Sequence, residues 1–184
     1  MTRLTVYPDT DPNSVLLDTR DSDRIGSELS AIGVVFERWT ASRALAEDAD
    51  QSAVLKAYEQ EVARIMEEGG YRSVDVVRVK PDNPNREELR RKFLAEHTHD
   101  DDEVRFFVDG AGAFYLRKEG RVFRVVCERS DLIGVPAGIT HWFDTGPAPD
   151  FCAIRIFTTP EGWVGHFTGD DIATRFPKFE SDTV

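Results

Sequence analysis

Residues 97 to 103 read His-Thr-His-Asp-Asp-Asp-Glu, a concentration of side chains able to bind a metal. His97, His99 and Glu103 share one parity, so on an extended backbone their side chains leave the same face. His141 follows in the segment PAGITH, where Pro136 and Gly138 predict a turn that presents it at the head of a strand, HWFD. If those two strands adjoin, three imidazole nitrogens and one carboxylate oxygen converge, a donor set suited to a divalent transition metal. A lone histidine is more often a core or surface residue than a ligand. Here three of the chain's four histidines fall in one pattern, and the ranking reverses. The run Asp100-Asp101-Asp102 reads equally well as a solvated loop or as a device that attracts a cation. Arg105 has the parity of Glu103 and should point inward with it, where a guanidinium requires an anion: the neighbouring acidic run or an anionic ligand.

These residues sit at the junction of two textures. The first half is helical in pattern. Ile25, Leu29 and Ile32 recur at helical steps before Gly33, and residues 51 to 68 place Val54, Tyr58, Val62 and Ile65 on one stripe ahead of Gly69-Gly70. A third helical run, NREELRRKFLAE, has Arg90, Arg91 and Lys92 on what reads as a solvated face. VVFERW and VDVVRV read as strands between these helices. From Val104 onward the chain becomes short β-rich runs separated by Gly, Pro and Asp, the pattern of a jelly roll or small barrel with a ligand site at its mouth or interior. Tyr115 and the turn from Lys118 to Gly120 read as structural.

Length and charge set outer bounds. A chain of 184 residues favours one domain, and no repeat or linker divides it. With 34 acidic and 23 basic side chains the net charge is −11, which argues against binding nucleic acid or an anionic membrane. No apolar run is long enough to span a bilayer, and the N-terminus lacks a signal-peptide core, so a cytoplasmic location is expected. Cys127 and Cys152 lie in apolar runs and read as buried free thiols.

The metal pattern resembles the cupin superfamily. His97, Thr98, His99, Glu103 and Gly110 fit the first cupin motif, and Pro136, Gly138 and His141 fit the second. Arg91 and Ser130 stand where those motifs usually open with Gly, and Thr145 where the second often closes with Asn. A denser resemblance runs through nearly the whole chain. GVVFERW, GYRSVDVVRV, FLAEHTHDDDEVRFFVDGAGAFYLR, DLIGVPAGITHWFD, AIRIF, PEGW and HFTGDDIA are similar to the acireductone dioxygenase family of methionine salvage.

That resemblance implies a mainly β fold: a cupin jelly-roll barrel (double-stranded β-helix) with flanking N-terminal α-helices. Residues 1–95 would be helices and outer strands, 96–160 the metal-binding core and 161–184 a C-terminal extension. It implies that His97, His99, Glu103 and His141 hold one Fe(II) or Ni(II) and leave two adjacent positions for substrate. The family's substrate, 1,2-dihydroxy-3-oxo-5-methylthiopentene, reacts with O2. Iron yields formate and 4-methylthio-2-oxobutanoate; nickel yields formate, carbon monoxide and 3-methylthiopropanoate. Arg105 would favour the substrate dianion, Glu96 would assist metal acquisition and Asp102 would relay conformational change. Phe93, Phe107, Phe143 and Trp163 are candidates for the methylthio-tail pocket, with Phe107 the strongest by its inward parity. Arg155 alternates with Ile154 and Ile156 and takes the opposite face, and His166 reads as a surface or supporting residue. A monomer is expected. Another mononuclear cupin oxygenase, an isomerase and a noncatalytic binding module remain as alternative readings of the same ligands.

Overall fold

The computed structural model describes residues 1–46, 48–161 and 164–180. In chain order the strands are β1 (Arg3–Pro8), β2 (Leu17–Thr19), β3 (Val35–Arg38), β4 (Ser73–Val79), β5 (His97–Thr98), β6 (Glu103–Lys118), β7 (Arg121–Glu128), β8 (Asp131–Val135), β9 (Thr140–Asp144), β10 (Phe151–Phe157) and β11 (His166–Phe167). Four helices flank them: α1 (Ser22–Ala31), α2 (Gln51–Ala57), α3 (Glu59–Gly69) and α4 (Arg86–Leu94). This is the mainly β cupin jelly roll with N-terminal helices that the sequence predicts.

Strand β6 organises the barrel. Its first half pairs with β8 and β10, and its second half pairs with β7 and β9, so one continuous strand belongs to both faces. The change of sheet falls at Gly110, whose φ of +67° is left-handed and whose amide donates to Asp109 Oδ1. A Cβ there would also lie 1.9 Å from the carbonyl oxygen of Asp150, so only glycine fits the corner. Beneath the strands lies an apolar interior that includes Phe107, Phe114, Phe143 and Phe151. The outer face of β4, β6 and β10 is covered by α2 and α3 through Val54, Tyr58 and Val62 packed with Phe106, Ile154 and Ile156.

Three local differences from the sequence pattern have physical causes. The segment expected to form one helix over 51–68 is two, because Tyr58 leaves helical geometry (φ −117°, ψ 24°). Its ring is fully buried edge-on to Phe106 at 5.4 Å, which draws the chain onto the sheet at that point. Residues 3–8, in which no strand was singled out, form β1 and pair with β7 over six residues. Arg90 does not belong to a solvated face: it makes a two-pronged ion pair with Asp144 (2.7 and 3.1 Å), while Arg91 and Lys92 remain exposed.

Asp144 is fully buried and also accepts the backbone amides of Gly146 (2.9 Å) and Phe179 (2.9 Å), so it ties α4, β9 and the C-terminal tail together. Removing one partner of a buried ion pair leaves an uncompensated charge, at a cost of about 3–5 kcal/mol. Asp144→Ala is therefore expected to lower the thermal midpoint by roughly 10 °C, whereas Arg91→Ala on the same helix should leave it within about 2 °C. Differential scanning calorimetry at matched metal content checks this.

Candidate metal centre

The three histidines reach one point from two strands and a loop. β5 pairs with β9 so that His97 stands directly opposite His141, the adjacency the sequence pattern requires. His99 follows β5 by one residue, and Glu103 opens β6. The ring centroids lie 4.5 Å (His97–His141), 5.0 Å (His99–His141) and 5.1 Å (His97–His99) apart. One ligand nitrogen from each falls within 4.8 Å of the other two. All four side chains are nearly inaccessible to solvent.

Backbone carbonyls fix which nitrogen faces the centre. The Nδ1 atoms pair with Ala95 O (2.7 Å), Val164 O (2.6 Å) and Ile139 O (2.8 Å) for His97, His99 and His141 in turn. A carbonyl only accepts, so each Nδ1 carries the proton, and each neutral ring presents its Nε2 lone pair inward. Glu103 Oε2 lies 3.1 Å from His99 Nε2, and among the described residues this buried oxygen receives no hydrogen bond of adequate geometry. Two lone pairs at that distance repel unless a cation lies between them or a proton is shared. A divalent metal fits this donor set: three soft-to-borderline nitrogens and one anionic oxygen, all facing inward.

Electrostatics favour the ligating form of His97, His141 and Glu103, while His99 is pulled the other way by its carboxylate neighbour. Burial pushes His141 down to about 3 and also lowers His97. Burial acts to lower His99 too, but the adjacent Glu103 carboxylate outweighs it and raises that imidazole. Burial alone would raise Glu103; Arg105 and His99 instead hold it well below the usual carboxylate range.

Arg105 donates Nε (3.1 Å) and one terminal nitrogen (2.6 Å) to Glu103 Oε1, leaving Oε2 turned toward the histidines. Its guanidinium lies against the adjoining rings of Phe114 (4.7 Å) and Phe143 (4.5 Å), whose centroids are 4.9 Å from each other. The inward placement follows the parity expectation. So does the ion pair with an acidic neighbour, and the partner is Glu103.

The other residues singled out from sequence take distinct positions. Phe107 is buried against Phe143 and Phe151, and Phe93 lies edge-on to Phe143, so the four form an apolar cluster that meets Arg105 through Phe143. Trp163 lies outside the described residues. Glu96, also buried, accepts from Thr168 Oγ1 (2.6 Å) and Arg117 (3.3 Å) and borders a cavity of about 470 Å³ with Asp9 and Asp170. Asp102 accepts the amide of Ala137 (2.8 Å), one residue beyond Pro136. The acidic run divides by role: Asp101 is buried and accepts from Thr159, while Asp100 is exposed and pairs with His166 at 2.9 Å. His166 is thus a surface residue, and the short strand that carries it pairs with β5. Cys127 and Cys152 are buried free thiols, with burial raising both pKa values. A second cavity of about 460 Å³ lies between α3 and β8, lined by Trp39, Arg64 and Tyr71 together with Asp102 and Glu103; no histidine of the centre borders it.

Beyond Arg105 the sequence pattern left one residue unplaced and gave no sign of another. Arg155 stands opposite Arg105 in the β10–β6 register and so shares its face, which alternation alone left open. Asp75, its partner on β4, had no local signal.

Comparison with known proteins agrees with this architecture. The chain is 81% identical over 182 residues to an acireductone dioxygenase of Parvibaculum lavamentivorans, covering 99% of each. It is 52% identical to one of Serratia proteamaculans over 98% of this chain and all of that one. The fold superposes with a TM-score of 0.79 on a solved acireductone dioxygenase from Bacillus anthracis with a cadmium ion in its active centre; identity is 31%, covering 91% of this chain and 98% of the other. The profile of the ARD/ARD′ family matches residues 3–165, and the chain belongs to that family.

Proposed function

We propose that this chain is a metal-dependent acireductone dioxygenase of methionine salvage, cleaving 1,2-dihydroxy-3-oxo-5-methylthiopentene with O2. The observation that carries the reading is the set of three inward Nε2 atoms beside an arginine-tethered carboxylate, in a chain that is a full-length relative of enzymes of that name.

His97, His99, His141 and Glu103 would hold one Fe(II) or Ni(II). Bound there, the ion supplies Lewis acidity and a template for two substrate oxygens. The chain supplies the rest. Arg105 spends two donors on Glu103, and its remaining terminal nitrogen donates to no described residue, so it is placed to stabilise negative charge on the substrate. The dianion is the electron-rich form that O2 attacks. Phe143 and Phe114 exclude water from that contact and strengthen it. Phe93, Phe107 and Phe143 supply the wall against which the methylthio tail packs; Trp163, the fourth candidate, lies outside the described residues. Glu96, held beside His97 by Arg117 and Thr168, assists metal acquisition, and Asp102, bonded to the turn before His141, relays movement of that turn.

Metal identity selects the products: formate and 4-methylthio-2-oxobutanoate with iron, formate, carbon monoxide and 3-methylthiopropanoate with nickel. The donor set accepts either, and affinity rises toward nickel, so cellular supply decides. We read residues 1–184 as one cupin-like domain acting as a cytoplasmic monomer, with no nucleic-acid or membrane partner. Among the described residues no helix is long and apolar enough to cross a membrane.

Anaerobic mixing of acireductone with iron-loaded protein should shift the substrate's enediolate absorbance, and admitting O2 should bleach it far faster than the uncatalysed rate. Bleaching at the uncatalysed rate would refute the activity. His97→Ala should retain well under half of the wild-type metal after dialysis, read by plasma emission spectroscopy, and full retention would exclude His97 as a ligand. Arg105→Met at matched metal content should lower kcat/KM by about 10²-fold, the usual cost of losing one charge-stabilising donor. An unchanged kcat/KM would remove Arg105 from the reaction.

A further inference from the structure

The register that places Arg105 also places a second guanidinium beside it. Arg155 on β10 stands opposite Arg105 on β6, and Asp75 on β4 stands opposite Arg155. Residues directly opposite on neighbouring strands leave the same face. Glu103, two residues from Arg105 on β6, shares that face, so four charges line one interior row in the order minus, plus, plus, minus. Arg155 donates Nε (2.8 Å) and a terminal nitrogen (2.7 Å) to the two oxygens of Asp75 and lies 5.6 Å over the ring of Phe157.

The row is closed at one end and open at the other. Side-chain exposure is 1% for Glu103 and 3% for Arg105, but 13% for Arg155 and 36% for Asp75. The two cations therefore adjoin where screening is weak, while the anion that compensates Arg155 sits where water weakens it. Burial is the largest influence on Arg105 and lowers its pKa; Glu103 opposes this, and Arg155 adds to the lowering. Neutralising Glu103 alone gives no reason to set a second guanidinium there. An incoming dianion does, because Arg105 is already half committed to Glu103 and a neighbouring positive charge restores the potential that commitment removes.

We infer that Arg155 is a positioning residue for the anionic substrate: its charge raises the positive potential at Arg105, and Asp75 sets how much of that charge is felt. The inference rests on the dianionic substrate of the proposed function. It makes the two members of one ion pair act in opposite directions, which a merely structural pair would not do.

The test uses full-length Ni(II)-loaded protein under argon, with oxalate as an inert dianion bearing two oxygens, and titration calorimetry at two salt concentrations. Arg155→Met should weaken oxalate by about tenfold and flatten its salt dependence, as expected for one charge lost at close range in a partly buried site. Asp75→Asn should tighten oxalate several-fold, and Arg155→Lys should restore most of the affinity lost in Arg155→Met. In turnover, KM for acireductone should follow the same order while kcat changes less. Affinity falling together in Arg155→Met and Asp75→Asn, or unchanged in both, would overturn the inference. If Arg155→Met does not fold or hold metal, Asp75→Asn decides alone: tighter binding supports the inference and weaker binding contradicts it. Wild-type protein that binds oxalate but does not cleave acireductone would defeat the proposed function, while the order of affinities would still judge this inference.

Discussion

The structure turns on one buried carboxylate. Glu103 is almost wholly out of water, and such a charge is tolerated only when it is fully engaged. Arg105 takes one of its oxygens and leaves the other aimed at three imidazoles. The same contact orients the arginine, whose guanidinium also rests against the rings of Phe114 and Phe143. Under the proposed function, breaking it would unsettle both the ligand and the group assigned to the substrate, so metal binding and substrate activation would share one support.

That support is built from the barrel's longest strand. Because β6 crosses from one face to the other at Gly110, its first half can present Glu103, Arg105 and Phe107 to the interior while its second half forms the wall that carries β9 and His141. The histidines are then locked from outside the centre, each by a main-chain carbonyl. Main-chain acceptors move little, so the inward nitrogens are set before any metal arrives, which is the preorganisation that a ligand-exchange site requires. The carbonyl that fixes His99 belongs to Val164, from the segment that returns to pair with β5.

Much of this was legible in the chain because it depends on local pattern. Parity on an extended backbone put His97, His99, Glu103 and Arg105 on one face, and the Pro136–Gly138 turn delivered His141. The β-rich second half and the Gly69-Gly70 stop were equally local signals. What escaped depends on partners distant in sequence. Arg90 looked like one of three solvated cations until β9 brought Asp144 against it. Alternation placed Arg155 away from Ile154 and Ile156, but only the pairing of β10 with β6 tells which side is the interior. Asp75 is an acidic residue in a strand of valines, with no signal before its register with Arg155 exists. The break at Tyr58 follows from burial against Phe106, again a tertiary event that helical periodicity does not encode. The aromatic residues show the reverse limit: sequence could nominate Phe93, Phe107 and Phe143, and their packing in the core is compatible with a tail pocket without requiring one.

The central claim is that three imidazoles and one carboxylate hold a single metal ion. X-ray absorption at the metal edge of stoichiometrically loaded protein tests it most directly, because imidazole rings give a characteristic multiple-scattering pattern. The account predicts one metal per chain, scattering from three imidazoles, and loss of one of them in His141→Ala. A spectrum fitted by one imidazole or none, with one metal still bound, would contradict it.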